Sequence, residues 1–243
     1  MKKSTYYMVT HKDLKFIPKG RTPIYVGNGK NNNNYLRDNT GINISEKNPN
    51  YCELTAFYWV WKNDTKSEIV SFEHYRRFFC NNKFPKILSS QQIELIMNNY
   101  DAIQVKKYYL DTSVYNRYCK SHYKNDIDLA KEAISLYYPD YIETYEDIIE
   151  NCNVTTVCNM LTLRKKNFDL YCAWLFKILF YVEAHTNLED RDAYQKRAYG
   201  FLSERLQNVW MKKNNLKIKE VPMFFYEDNK IKSFLKTAKN IFK

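Results

Sequence analysis

The stretch Glu68-Ile69-Val70-Ser71-Phe72-Glu73-His74-Tyr75-Arg76-Arg77 is a short apolar run that stops in a histidine, a tyrosine and two arginines. Ile69 to Phe72 are mostly strand-forming residues, so 68–75 reads as a strand with the cationic cluster at its carboxyl end. In an open α/β sheet, ligands bind outside the carboxyl ends of the strands. Arginine forks grip phosphate oxygens in bidentate fashion and keep their charge, so His74, Tyr75, Arg76 and Arg77 suit a pyrophosphate. The alternative is a surface run in which one arginine pairs with Glu73 and the other is solvated.

Towards the N-terminus the same arrangement recurs. Thr5 to Thr10 is a strand run, and Thr10, His11 and Lys12 place a second set of donors at its end. Pro23 to Gly27 is a strand closed by a glycine. Residues 30–40 form a polar loop with four consecutive asparagines, Asn31 to Asn34, which reads as a surface loop or as a flap over a ligand. Asn48-Pro49 opens a helix, continued by Tyr51 to Trp61 with Leu54, Tyr58 and Trp61 on one face. Trp59 and Trp61 cannot share that face, so at most one is fully buried. Asn43, Ser45, Lys47 and Asn48 precede or begin this helix, where amide donors and a lysine suit an anion; equally, Ser45 or Asn48 serves only as its cap.

Towards the C-terminus, helices are expected at 90–99, 113–122, 125–137, 142–151, 168–184 and 192–212, and strands at 100–105, 154–163 and 217–223. Strands alternating with helices predict an α/β fold with a mostly parallel central sheet flanked by helices. The expected organisation is one domain over 1–224 and a tail over 225–243. In the tail, Ile231, Phe234, Leu235, Ala238, Ile241 and Phe242 fall at helical spacing between Lys230, Lys232, Lys236, Lys239 and Lys243. Such a basic amphipathic helix suits an anionic membrane surface, or a terminal helix docked on the domain.

Composition narrows the function. The 243 residues carry 38 Lys+Arg against 27 Asp+Glu, a net charge of +11, which attracts phosphates without choosing among nucleic acid, lipid head groups and nucleotide-linked donors. Aromatics reach 16%, with 22 Tyr, which suits either a stacking cleft or a tyrosine-rich core. The cysteines (52, 80, 119, 152, 158, 172) show no C-x-x-C spacing, and the four histidines show no ligand cluster, so no structural metal is expected. Met1 to Ser4 leads straight into a strand with no signal peptide, and Leu170 to Val182 is too short to span a bilayer. A cytoplasmic chain with reduced thiols is expected. The sequence lacks G-x-x-x-x-G-K-[ST], G-x-G-x-x-G and G-x-S-x-G, which excludes P-loop, Rossmann and nucleophile-elbow chemistry. Spread lysines without a helix-turn-helix, finger or RNP pattern argue against nucleic acid as partner.

Taken together, Thr10-His11-Lys12, Gly41 to Asn48, Tyr51 to Thr55, Tyr58 to Asn63, His74 to Phe78, Asn159-Met160, Tyr171 to Phe176 and Arg197 to Leu206 form a recognisable signature. Over about Tyr7 to Pro222 the chain resembles the bacterial capsular and exopolysaccharide glycosyltransferases long carried as a domain of unknown function, some of them assigned as galactofuranosyltransferases. One departure is Ile42, where that pattern leads to an acidic, hydroxyl-binding residue. The resemblance implies a single nucleotide-sugar-binding domain of the GT-A type. It implies a hexosyltransferase moving a sugar, galactofuranose or galactose, from a UDP-linked donor to a lipid-linked glycan in capsule, exopolysaccharide or O-antigen synthesis. The enzyme would then work peripherally at the inner membrane face, with 230–243 on the anionic surface. The alternative is a non-catalytic nucleotide-sugar or glycan-binding protein of envelope assembly.

Transferases of that type commonly hold a divalent metal with an Asp-x-Asp after a strand. Here Asp126-Ile127-Asp128 begins a helix and Asp190-Arg191-Asp192 precedes another, neither follows an apolar strand, and the strand in question ends in His74 to Arg77. Metal-independent catalysis without a cofactor is therefore expected, fixed cations replacing Mg²⁺ or Mn²⁺ at the leaving diphosphate. Arg197 joins the expected donor-binding set. For the carboxylate that takes the acceptor proton, the candidates are Asp192, Glu204 and Asp38, with a helix cap as the alternative role of Asp192 and an ion pair with Arg197 or Arg205 that of Glu204.

Overall fold

The computed structural model describes residues 4–241; the expectations for Met1 to Lys3, Phe242 and Lys243 lie outside the described residues. Eleven strands occur among the described residues: β1 (Ser4–Thr10), β2 (Thr22–Tyr25), β3 (Leu36–Arg37), β4 (Ile69–His74), β5 (Arg77–Phe79), β6 (Ala102–Val105), β7 (Tyr108–Tyr109), β8 (Val154–Thr155), β9 (Leu161–Arg164), β10 (Ile218–Val221) and β11 (Met223–Phe225). The main sheet has the order β10-β6-β9-β4-β1-β2-β3. β4, β1, β2 and β3 run parallel, as do β6 and β10, while β9 is antiparallel to both of its neighbours. The sheet is thus mostly parallel and flanked by helices, as the alternation of elements predicts.

The helices are α1 (Asn48–Tyr51), α2 (Leu54–Asn63), α3 (Ser90–Met97), α4 (Val114–Ser121), α5 (Lys124–Tyr137), α6 (Ile142–Tyr145), α7 (Lys165–His185), α8 (Ala198–Lys213) and α9 (Lys230–Ile241). Alternation along each strand assigns side chains to two layers. Tyr7, Val9, Val70 and Phe72 face the larger core with α2, α7 and α8, while Tyr6 and Ile69 face the smaller core with α3. Phe72 is fully buried between Phe57 and Phe168, with ring centroids at 4.0 and 5.0 Å. Truncating such a side chain costs about 3–5 kcal/mol. Tyr51, Tyr118, Tyr145, Tyr171 and Tyr199 rank among the largest fully buried or nearly buried side chains, so much of the tyrosine surplus builds the core. Neither Trp59 nor Trp61 is fully buried: Trp61 stacks on Phe176 at 5.9 Å, and Trp59 donates its ring N–H to the Thr40 carbonyl.

Several elements depart from the pattern reading. The asparagine-rich loop contains β3, and Asn31 closes a turn by exchanging hydrogen bonds with the Tyr35 backbone. The expected strand over 154–163 is two short strands, β8 and β9, in separate sheets. The helix expected over 142–151 ends in a π-helical turn at Glu146–Asn151. The helix expected from Asp192 starts instead after a 3-10 turn at Gln195–Arg197. β5 is unexpected: His74 and Arg77 pair across a tight antiparallel turn, and β11 adds to its other edge. β11 spans the expected boundary at 224/225 and packs against α9. No helix among the described residues is long and apolar enough to cross a membrane.

Candidate active site

The two cationic strand ends come together because β1 and β4 are parallel neighbours, with Val9 opposite His74. The Tyr75 N–H donates to the Val9 carbonyl at 3.1 Å, which extends the pairing past the strand and lays Tyr75 beside His11. Their rings meet edge to face at 5.2 Å, with Lys12 Nζ 4.9 Å and the Arg76 guanidinium 5.1 Å from the Tyr75 ring. Beyond these ends opens a cavity of about 510 Å³. Its walls are β1 and β4 ends (Thr10, His11, His74 to Arg77), the start of α1 and α2 (Asn48, Cys52, Glu53) and the turn before α8 (Ala193, Arg197). That volume matches a small-molecule site.

The cavity is electropositive on one wall. The guanidinium groups of Arg76 and Arg77 are exposed and form no salt bridge among the described residues. Arg197 enters opposite, its Nε donating to Cys52 Sγ at 3.2 Å. Burial pushes the Cys52 thiol up to about 12, so it stays protonated. The His11 imidazole is held below its ordinary value by burial first, then by Lys12, Arg76 and Arg197. At neutral pH the fixed charge is therefore carried by arginine and lysine rather than by imidazole.

Among the described residues, Glu53 is the one carboxylate lining the cavity. It stands just before α2, where Asn159 Nδ2 donates to its Oε1 at 2.7 Å. His74 Nε2 lies 3.8 Å from the same oxygen, is buried and has no hydrogen-bond partner among the described residues. Burial holds the His74 imidazole below its ordinary value, against the pull of Glu53. Asn159 is itself fixed by Ser203, whose hydroxyl donates to its Oδ1 at 2.8 Å. The histidine reaches this side because β4 alternates: Glu73 points to the other layer, where Arg21 binds it through Nε at 2.5 Å and Nη2 at 3.2 Å. Arg21, rather than Arg76 or Arg77, is the partner of Glu73.

The other expected site residues scatter. Thr10 lines the cavity, but its hydroxyl donates to the Lys12 carbonyl and shapes the turn. Asn48 lines it while donating to the Cys52 carbonyl. A Cβ on Gly27, at φ +75°, would stand 2.7 Å from Asn48 Oδ1, so glycine lets the end of β2 approach this wall. Lys47 does not reach the cavity; both oxygens of Glu183 hold its Nζ at 2.8 Å. Asn43 is exposed and accepts from the Ser45 N–H. Neither Ser45 nor Asn48 caps a helix through its side chain. The Ser45 hydroxyl donates to Asp38 Oδ1 at 2.5 Å, and Asp38 is fully buried, its carboxyl raised by that burial. Glu204 does not line the cavity; it accepts from the Cys158 N–H and pairs with Arg205 at 2.7 Å, and burial raises its carboxyl. Asp192 is exposed and accepts the N–H groups of Tyr194 and Gln195, both at 2.8 Å.

Glu53 was within the sequence signature yet absent from the candidate acids, since its only signal was that a charged side chain interrupts an otherwise apolar helix start. Neither Asp-x-Asp triplet lines the cavity. Asp126 is buried in a bidentate pair with Arg191, at 2.6 and 2.7 Å, and Asp128 pairs with Lys124. Ile42 is exposed, away from the cavity lining.

Among curated proteins no match is found. Among solved structures, the chain is similar to the WbbM bifunctional glycosyltransferase in its apo form, with a TM-score of 0.86 and 29% identity over 93% of this chain. It spans 46% of the length of that chain. Residues 5–215 match a family model, and on that match, which takes in the whole cavity wall, the protein belongs to the family described as Domain of unknown function (DUF4422).

Proposed function

We propose that the protein is a glycosyltransferase that moves a sugar from a nucleotide diphosphate donor to a glycan acceptor. The observation that carries this reading is the cavity at the ends of β1 and β4, lined by Arg76 and Arg77, which form no salt bridge among the described residues, by Arg197, and by Glu53 as the one carboxylate among those residues. Its likeness to the WbbM bifunctional glycosyltransferase supports it. The donor is a UDP-linked galactose or galactofuranose, and the acceptor a lipid-linked glycan of capsule, exopolysaccharide or O-antigen assembly.

In the proposed step, Arg76, Arg77 and Arg197 hold the diphosphate, with Thr10, His11, Lys12, Tyr75 and Asn48 around it. The acceptor hydroxyl oxygen attacks the anomeric carbon while the bond from that carbon to the diphosphate oxygen breaks. The electron pair leaves with the nucleotide diphosphate, whose growing charge the guanidinium groups stabilise. The acceptor proton passes to Glu53, which Asn159 orients and neutral His74 flanks. Glu53 takes this role ahead of Asp192, Glu204 and Asp38 because it faces the cavity. Fixed cations do the work of a divalent metal, since the carboxylates of Asp126 and Asp128 are engaged in ion pairs elsewhere.

Thermal shift with UDP, GDP, dTDP and CMP, each with Mn²⁺ and with EDTA, tests the donor. Stabilisation by one diphosphate regardless of metal is expected. Stabilisation only with Mn²⁺ removes the metal-free mechanism and keeps the enzyme. Release of free nucleotide diphosphate from a nucleotide sugar separates an enzyme from a binding protein.

A further inference from the structure

A docked amphipathic helix ordinarily buries its apolar stripe. Along its first two turns α9 does the reverse. Ser233 and Thr237 face the domain, fully or nearly buried, where the Glu227 N–H donates to the Ser233 hydroxyl at 2.8 Å and the Phe225 N–H to the Thr237 hydroxyl at 2.9 Å. Of the apolar stripe, Ile241 is buried and Ala238 half-buried, but the N-terminal part is left outside: Ile231 is 70% exposed, Leu235 56% and Phe234 44%. The stripe continues onto a second element, because Phe84, 59% exposed in the segment between β5 and α3, stands 5.9 Å from the Phe234 ring.

Lysines border this patch. Lys230, Lys232 and Lys239 on α9, and Lys83 and Lys86 beside Phe84, are exposed and form no salt bridge among the described residues. The acidic residues nearby are neutralised, Glu227 by Lys236 at 2.6 Å and Asp228 by Lys15 at 2.9 Å. On the helix, the 100° turn per residue puts Lys232 and Lys239 beside Leu235, on the flank of the apolar stripe, while Lys236 turns back to Glu227 and the Phe225 ring. The helix therefore presents Ser233, Thr237 and Ile241 to the protein, Ile231, Phe234 and Leu235 outward, and the ammonium groups of Lys232 and Lys239 beside them.

We propose that α9 and the Phe84 segment together form an in-plane anchor on an anionic lipid bilayer. Phe84, Ile231, Phe234 and Leu235 enter the head-group and acyl boundary, and the lysines meet lipid phosphates. A helix of twelve residues docked along one side lies in the interface and does not span it. The anchor is coupled to the cavity: β11 leads into α9, and the Tyr226 N–H donates to the Arg76 carbonyl at 2.9 Å. The proposal goes beyond the transferase reading and does not depend on it.

The test is flotation of the full chain with vesicles of phosphatidylglycerol and phosphatidylcholine in equal parts, and with phosphatidylcholine alone. Binding to the first and not the second is expected, weakening as salt rises. The Phe84→Ser/Phe234→Ser pair is expected to abolish it, and Phe234→Leu to retain it. Lys232→Gln with Lys239→Gln is expected to lower partitioning roughly thirtyfold, from about 1 kcal/mol per lysine near the surface. Absence of wild-type binding, equal binding to both vesicles, or unchanged binding of the double Phe variant overturns the proposal. So does lipid-free self-association that Phe234→Ser removes, which would make a second copy of the chain the occupant.

Discussion

Two carboxylates meet β4 on its opposite faces, at adjacent residues: Arg21 reaches Glu73 itself, and Glu53 lies beside His74. Glu73 and Arg21 are fully buried, and every polar reach of Glu73 is met: Arg21 through two nitrogens, and the Phe79 N–H at 2.7 Å. Glu53 and His74 stand 3.8 Å apart at a cavity wall, and His74 Nε2 has no hydrogen-bond partner among the described residues. Saturation marks the first pair as structure; the second lines the cavity, where Glu53 and His74 are open to a ligand.

Substitutions can break that contrast. Glu53→Gln is expected to lower turnover by about 10²- to 10⁴-fold, the usual scale of a general base, while nucleotide-induced thermal shift and folding persist. A stability loss comparable to that of the other pair would show Glu53 to be structural too. Arg21→Met strands a buried carboxylate and is expected to cost about 3–5 kcal/mol, read as a fall in the urea midpoint, with little change in nucleotide affinity of the molecules that remain folded. Arg76→Ala and Arg77→Ala remove exposed charges. Each is expected to weaken nucleotide diphosphate binding roughly 10- to 100-fold by calorimetry, on about 1.5–3 kcal/mol per charged hydrogen bond, and to leave stability unchanged.

The contrast also separates what the chain discloses from what it hides. β1 and β4 were legible because their apolar runs end in unmistakable polar clusters, and parallel pairing then had to bring Thr10–Lys12 beside His74–Arg77. Glu53 was hidden because its role depends on the approach of α2 to β4 and on Asn159, 106 residues away, neither of which leaves a local pattern. Lys47 misled for the same reason: its partner Glu183 lies on α7, distant in sequence. β5 was missed since three residues after a tight turn carry no periodicity of their own. In the tail, the helix was legible, but helical spacing says which residues share a face and not which face docks.

A smaller effect lies in pH. Burial holds His74 below the ordinary imidazole value, so at pH below about 6.5 the unfolded chain binds a proton there that the folded chain refuses. Its contribution to stability is therefore complete above that pH and shrinks as pH falls. His74→Gln is expected to show a flatter melting temperature between about pH 7 and about pH 5.5 than the parent protein. An unchanged slope would mean that a ligand-free His74 is already solvated enough to titrate normally.

The smallest effect is expected at Asp192, and it tests the choice of base most sharply. A base at the head of the 3-10 turn would make Asp192→Asn inactive with donor binding intact. The geometry points the other way: Asp192 spends Oδ1 on two backbone N–H groups and lies outside the cavity lining, while its neighbour Ala193 lines it. Asparagine makes the same bonds about as well, so Asp192→Asn should keep near-normal turnover, and Asp192→Ala should lose about 1 kcal/mol of stability by leaving the Tyr194 and Gln195 N–H groups without it. With Glu53→Gln measured beside it, the two carboxylates give opposite outcomes, one losing turnover without stability and the other stability without turnover. A hundredfold loss of turnover in Asp192→Asn would reverse the assignment, requiring that turn to swing its carboxylate into the cavity when donor or acceptor binds.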